Sequence, residues 1–197
     1  MKIAPIDLTI FAIFLIGLIV PRTFDICIID TILVLFVKYC SFLDRSKSPE
    51  SVKGRYFNWS RMDNKIEYLK KKSLEYRKVI LEIIYNSGAG HTGGSLSCID
   101  ILNVLYNEIL EITPSNFNSN DRNHYIHSKG HSVEALYTVL CDKGFFKKTE
   151  LDTLNNFNSH FIGHPTKKIN GIEHNTGALG HGFSVAVGIA ISKKINQ

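Results

Sequence analysis

A chain of 197 residues with 44% hydrophobic and 21% charged residues has the composition of a globular domain with a sizeable core, not of a disordered or fibrous chain. Its net charge of +5 comes from scattered lysines and arginines, and the one dense run, Lys70-Lys71-Lys72, reads as a solvated helix face, which argues against nucleic acid as a partner. Cys27, Cys40, Cys98 and Cys141 show no CxxC spacing, so free thiols in a reducing compartment are expected.

Residues 1–45 form a hydrophobic N-terminal segment. One apolar run, Leu8–Val20, stops at Pro21-Arg22; a second, Ile26–Val37, contains Asp30 and is followed by Lys38. A helix crossing a bilayer needs about 20 apolar residues, and a central charge costs roughly 2.5–3.5 kcal/mol. Three readings stay open: a membrane hairpin, one imperfect anchor, or upstream sequence foreign to the domain. Membrane association is the expectation, with Arg45, Lys47, Lys53 and Arg55 keeping the C-terminal domain in the cytoplasm. Residues 46–58 are a polar linker, and residues 59–197 form the domain.

Asp63 is the expected N-cap of a helix carrying Ile66, Leu69, Tyr76, Val79, Ile80, Ile83 and Ile84, ended by Asn86-Ser87-Gly88. A second helix is predicted from Ser97 to Leu110, with Ser97 and Asp100 as a capping pair. A polar loop then runs to Asn123, and His124–Ser128 reads as a short strand. Helices are predicted over 132–142, ended by Gly144, from Thr149-x-x-Asp152, and over Gly182–Lys194, where Ala186, Gly188 and Ala190 point to close packing. The fold class is α/β: helices around a parallel sheet left incomplete at Gln197.

Three glycine/histidine clusters punctuate these elements: Gly90-His-Thr-Gly-Gly-Ser95, His127-Ser-Lys-Gly-His131 and Thr176-Gly-Ala-Leu-Gly-His-Gly182. Glycine turns that open helices leave backbone N–H groups aimed outward and let a ligand come close to the main chain. His91, His127, His131, His164 and His181 lie in or beside such turns. Histidine donates to phosphate or hydroxyl oxygens and moves protons near neutral pH, so a polar cleft is expected. The spacing His124-x-x-His127-x-x-x-His131 also permits zinc ligation, but zinc does not explain the glycines. Arg122 reads as a surface loop residue.

With Gly163-His164-Pro165, these ordered motifs resemble the N-terminal, thiamine diphosphate-binding domain of transketolases, from about Trp59 onward. Gly93-Gly94-Ser95-Leu96-Ser97 is typical of forms split into two polypeptides. By matched position, the resemblance implies that His91 lines the substrate channel and His164 contacts the donor sugar, the two catalytic candidates. It implies that His131 contacts the cofactor diphosphate, and that Gly177, Ala178 and Leu179 pack beside the cofactor rings. Thr92, Ala178 and His181 depart from the family's usual residues.

The resemblance also implies thiamine diphosphate with Mg2+ as cofactors. The family's Gly-Asp-Gly and later Asn, which hold the metal, are absent from this sequence, as is the glutamate that activates the cofactor. The expectation is therefore a partial transketolase, inactive alone, serving two-carbon transfer between sugar phosphates. It would work with a C-terminal transketolase subunit or the remaining polypeptide, as a homo-oligomer when complete. The alternative is a non-catalytic, membrane-associated binding or scaffold module that keeps the fold.

Overall fold

The computed structural model of the protein describes residues 59–119 and 122–195. The hydrophobic segment 1–45 and the linker 46–58 lie outside the described residues, and so does the question of a membrane hairpin. Among the described residues, no helix is long and apolar enough to cross a membrane.

Helix α1 spans Trp59–Ser87, α2 Thr92–Val104, α3 Val133–Asp142, α4 Lys148–Leu151 and α5 His181–Ile195. Helix α1 begins four residues before the expected Asp63 cap. It buries Leu69, Tyr76, Ile80 and Ile83, the stripe its spacing predicted. Helix α2 continues into a wider π turn at Leu105–Ile109, which closes with the Leu110 amide donating to the Leu105 carbonyl at 2.7 Å. Helix α3 is entered through a tight 3-10 turn at Gly130–Ser132 and stopped by Gly144, whose φ of +81° suits a residue without a side chain. The three long helices pack on one another around Ile80, Ile99, Leu102, Tyr106, Leu136 and Leu140. Burial of such side chains is the main favourable term, at roughly 1.5–3 kcal/mol each.

Several expectations are corrected by tertiary contacts. Helix α2 starts at Thr92, not Ser97, and runs through Gly93 and Gly94. Ser97 caps nothing: its Oγ donates to the Gly94 carbonyl at 2.8 Å and accepts from Lys129 Nζ at 2.6 Å. Asp100 instead takes a two-pronged ion pair from Arg77, at 2.8 and 2.7 Å. The start of α4 is set by Glu150, which accepts from the Lys147 amide at 3.0 Å, not by Thr149 and Asp152. The expected strand at His124–Ser128 is irregular backbone with Tyr125, Ile126 and His127 buried, turning at its end where the Ser128 amide donates to the Ile126 carbonyl at 3.0 Å, and the described residues contain no strand. A strand exists through its ladder, and here the neighbouring segments are helices and turns. In α5, Ala186 and Ala190 are buried as expected, whereas Gly188 is exposed with open space at its Cβ position.

Polar pins fix the helices laterally. Asn103 is fully buried; its Nδ2 donates to the Leu69 carbonyl at 2.7 Å and to Ser73 Oγ at 2.8 Å, and its Oδ1 accepts from Asn107 at 2.8 Å. Removing one partner from such a set strands the others away from water. Asn103→Ala should therefore lower stability by about 2 kcal/mol, read as a lower urea midpoint with an unchanged slope.

Candidate active site

Helices α2 and α3 and the start of α5 present the three glycine/histidine clusters to one another. The segment 127–130 is the meeting point. A Cβ on Gly130 would lie 2.8 Å from the Gly177 nitrogen and 2.9 Å from its Cα, so the two turns touch main chain to main chain. A Cβ on Gly182 would lie 2.6 Å from the Ser128 Cα. Hydrogen bonds close the same seam: Thr176 Oγ1 donates to the His127 carbonyl at 2.6 Å, and the Phe183 amide to Ser128 Oγ at 3.1 Å.

This seam gathers three of the histidines selected from the sequence. The His131 and His164 rings stand edge to face at 4.5 Å, His91 and His131 at 5.0 Å, and His91 and His164 at 6.4 Å. His164 also packs on Gly177, where a Cβ would come within 3.1 Å of the ring. Its backbone is held from below by Tyr137, whose hydroxyl donates to the carbonyls of Ile162 and His164 at 3.0 and 3.2 Å. Burial lowers the His164 pKa, and the neighbouring His131 and His91 lower it further, against a smaller upward pull from Glu134. His91, at the start of α2, is exposed. Ala178 and Leu179 occupy the exposed turn after Gly177, with Leu179 82% exposed. His181 faces His174, at 5.5 Å between rings.

His131 differs from its neighbours in one respect: its Nδ1 is buried with no hydrogen-bond partner. Buried polar nitrogens are nearly always paired, so an orphan at a cleft marks a place for an external acceptor. With glycines that let a ligand reach the main chain, the residues fit a doubly charged diphosphate. Among the described residues, no three His, Cys, Asp or Glu are placed to hold a metal ion.

The zinc spacing fails on His127. Its Nδ1 faces Tyr125 Oη at 2.9 Å and its Nε2 faces Ser132 Oγ at 3.0 Å, so both nitrogens are engaged within the fold. Arg122 is a correction too: its side chain is 5% exposed, stacks 4.5 Å from the Phe117 ring centroid and pairs with Glu173. It anchors the polar loop, its Nε donating to the Phe117 carbonyl at 2.6 Å. An arginine and a glutamate 51 residues apart give no local signal of pairing. Glu134 was also missed. It is fully buried on α3, and the sequence signal was a lone carboxylate in the apolar run Val133–Leu140.

Burial pushes the His127 pKa down to about 4, so it is neutral in the fold but takes up a proton near pH 6.5 once unfolded. A depressed folded pKa contributes stability above the unfolded value and loses it as pH falls toward the folded one. The unfolding free energy read from urea titrations should therefore drop between pH 6.5 and 4, by up to about 3 kcal/mol from this residue. The part of the drop that disappears in His127→Gln measures its share.

The family model for the transketolase thiamine diphosphate binding domain matches residues 70–197. The chain is 46% identical over 132 residues to one subunit of the apulose-4-phosphate transketolase of Phocaeicola vulgatus, covering 67% of this chain and 47% of that protein. It is 41% identical over 122 residues to "6-deoxy-6-sulfo-D-fructose transketolase subunit SqwG" of a Clostridium species, covering 61% and 44%. The chain thus spans about half the length of these curated relatives. Among solved structures, transketolase from Leishmania mexicana superimposes with a TM-score of 0.59 at 26% identity, over 62% of this chain and 19% of that one.

Proposed function

The chain belongs to the transketolase thiamine diphosphate-binding domain family, whose fold is α/β, and from that premise we propose that it is the cofactor-binding part of a two-polypeptide transketolase. The observation that carries this reading is the unpaired, buried His131 Nδ1 inside the His91–His131–His164 cluster, set against the Gly177 turn. Relatives that are named as single subunits of transketolases support a second polypeptide as partner. Their names carry a phosphorylated and a sulfonated sugar, which supports an anionic sugar as substrate. The domain extends over 59–197 in this reading.

Thiamine diphosphate, when bound, supplies the carbanion chemistry needed to break and make a carbon–carbon bond. The protein's part is to bind, orient and move protons. His131 donates from Nδ1 to a diphosphate oxygen. The Gly177 turn, with Ala178 and Leu179 beyond it, offers main chain and an apolar side chain to the cofactor rings. His91 and His164 face the sugar. With a lowered pKa, His164 is mostly neutral near pH 7, so it can accept a proton from a substrate hydroxyl and return it to a carbonyl oxygen. Tyr137 and Gly177 keep that imidazole in one orientation.

A hydrogen bond to a charged group contributes about 1.5–3 kcal/mol, so His131→Ala should weaken thiamine diphosphate binding about tenfold or more. Calorimetry on the chain combined with its completing polypeptide reads this directly. Unchanged affinity would remove His131 from the site and the main support for this function.

A further inference from the structure

Glu134 is the second residue of α3, surrounded by apolar positions, and it is fully buried. A carboxylate in such a place is costly unless hydrogen bonds hold it. Both oxygens are held. One accepts from the His91 amide at 3.1 Å, the other from Ser95 Oγ at 2.7 Å. Both donors are neutral, so neither cancels the charge. Both belong to the turn that opens α2, where a helix stabilises an anion.

The fit is tight from the other side as well. Gly90 has φ of +156°, and a Cβ there would meet Glu134 Oε1 at 2.9 Å and Ile84 at 2.8 Å. The carboxylate therefore leaves room only for glycine, and that glycine's turn delivers the His91 ring to 5.0 Å from His131. Three imidazoles then stand together, and His131 and His91 disfavour a proton on His164. The other titratable groups around the carboxylate are Cys98, Tyr137 and Lys129, whose ammonium is tied to the Gly94 carbonyl at 3.0 Å and to Ser97.

We propose that Glu134 is a positioning residue of this cleft: its carboxylate fixes the Gly90–His91 turn and supplies a buried counter-charge for His164, the imidazole packed against His131 and His91. The proposal rests on the thiamine diphosphate reading only for what the cleft is used for. His131 and His91 disfavour a proton on His164, and a buried anion on α3 opposes them. His164 is where the effect is felt, since Glu134 opposes the downward pull that burial and the other two histidines exert on it.

The test uses the full chain without cofactor, so it stands or falls separately from cofactor binding. Glu134→Gln keeps the shape and can still accept from the His91 amide, while a side-chain amide can donate to Ser95. Only the charge is lost. NMR titration of the His164 ring should show its midpoint shifted down in Glu134→Gln and kept near the wild-type value in Glu134→Asp, which retains the charge. Hydrogen exchange at the His91 amide should stay slow in Glu134→Gln and speed up on the order of tenfold in Glu134→Ala. An unchanged His164 midpoint in Glu134→Gln would overturn the counter-charge. A His91 amide equally protected in Glu134→Ala would overturn the hold on the turn.

Discussion

The site depends on one close approach of main chain to main chain. At Gly130 and Gly177 there is no room for a side chain, with a Cβ on Gly130 falling 2.8 Å from the Gly177 nitrogen. Real Cβ contacts do not occur at that distance, so any larger residue would have to push the turns apart. Separation there would carry His131, next to Gly130, away from His164, which rests on Gly177. The Thr176–His127 bond at 2.6 Å and the Ser128–Phe183 bond at 3.1 Å lie on the same seam, and both would lengthen with it. Histidine geometry is thus a consequence of glycine placement. A displacement of 1 Å in a catalytic group can cost on the order of a hundredfold in rate, which is reason enough for so tight a seam.

The helices behind the seam keep it from drifting. Polar pins between α1, α2 and α3 add direction to an apolar contact that by itself is non-directional. Arg77 fixes Asp100, Asn103 ties α2 to α1, and Asp142 at the end of α3 accepts from both Lys72 and Tyr76 of α1 at 2.7 Å. Each joins residues on different helices, so sliding one helix along another would break several bonds at once. The histidine cluster sits at the ends of α2 and α3, where that rigidity is transmitted to the loops. Helix α5 buries Ala186 and Ala190 while Val187, Ile191 and Ile195 are exposed, so its apolar character exceeds what the described residues cover.

The reach of the sequence is explained by this arrangement. Local patterns were legible: the stripe of α1, the α3 span, the glycine turns, and the histidines those turns carry. The glycine turns marked five histidines, His91, His127, His131, His164 and His181, and the family resemblance, by matched position, singled out His91, His131 and His164 among them. Most of the errors involve a partner distant in sequence, the start of α4 being an exception, where Glu150 and the Lys147 amide are three residues apart. Ser97 and Asp100 look like a cap until Lys129 and Arg77 claim them. Gly93 and Gly94 look like a loop, because glycine is a poor helix former, until the packing of α2 and the Lys129 bond to the Gly94 carbonyl hold them in the helix. Arg122 looks like a surface residue until Glu173 reaches it. The segment at 124–128 has the buried character of a strand, but a ladder is a relation between segments, and the residues of one of them cannot display it.

Within the single stretch His127–His131, two histidines four residues apart separate into different roles, and the separation is visible in their nitrogens. His127 has both nitrogens engaged, by Tyr125 on one side and Ser132 on the other, and burial, which pushes its pKa down to about 4, keeps it neutral near pH 7. Such a histidine is a neutral connector between a buried irregular segment and a helix start, and both its nitrogens are already engaged. His131 sits one turn further on with a buried nitrogen that nothing in the fold satisfies. An unpaired buried donor or acceptor costs about 1–3 kcal/mol, so the fold carries a penalty at His131 that it avoids at His127. His124 Nε2 is buried and unpaired as well, but only the His131 nitrogen lies beside the glycine seam and two further imidazoles, where an acceptor entering the cleft would satisfy it.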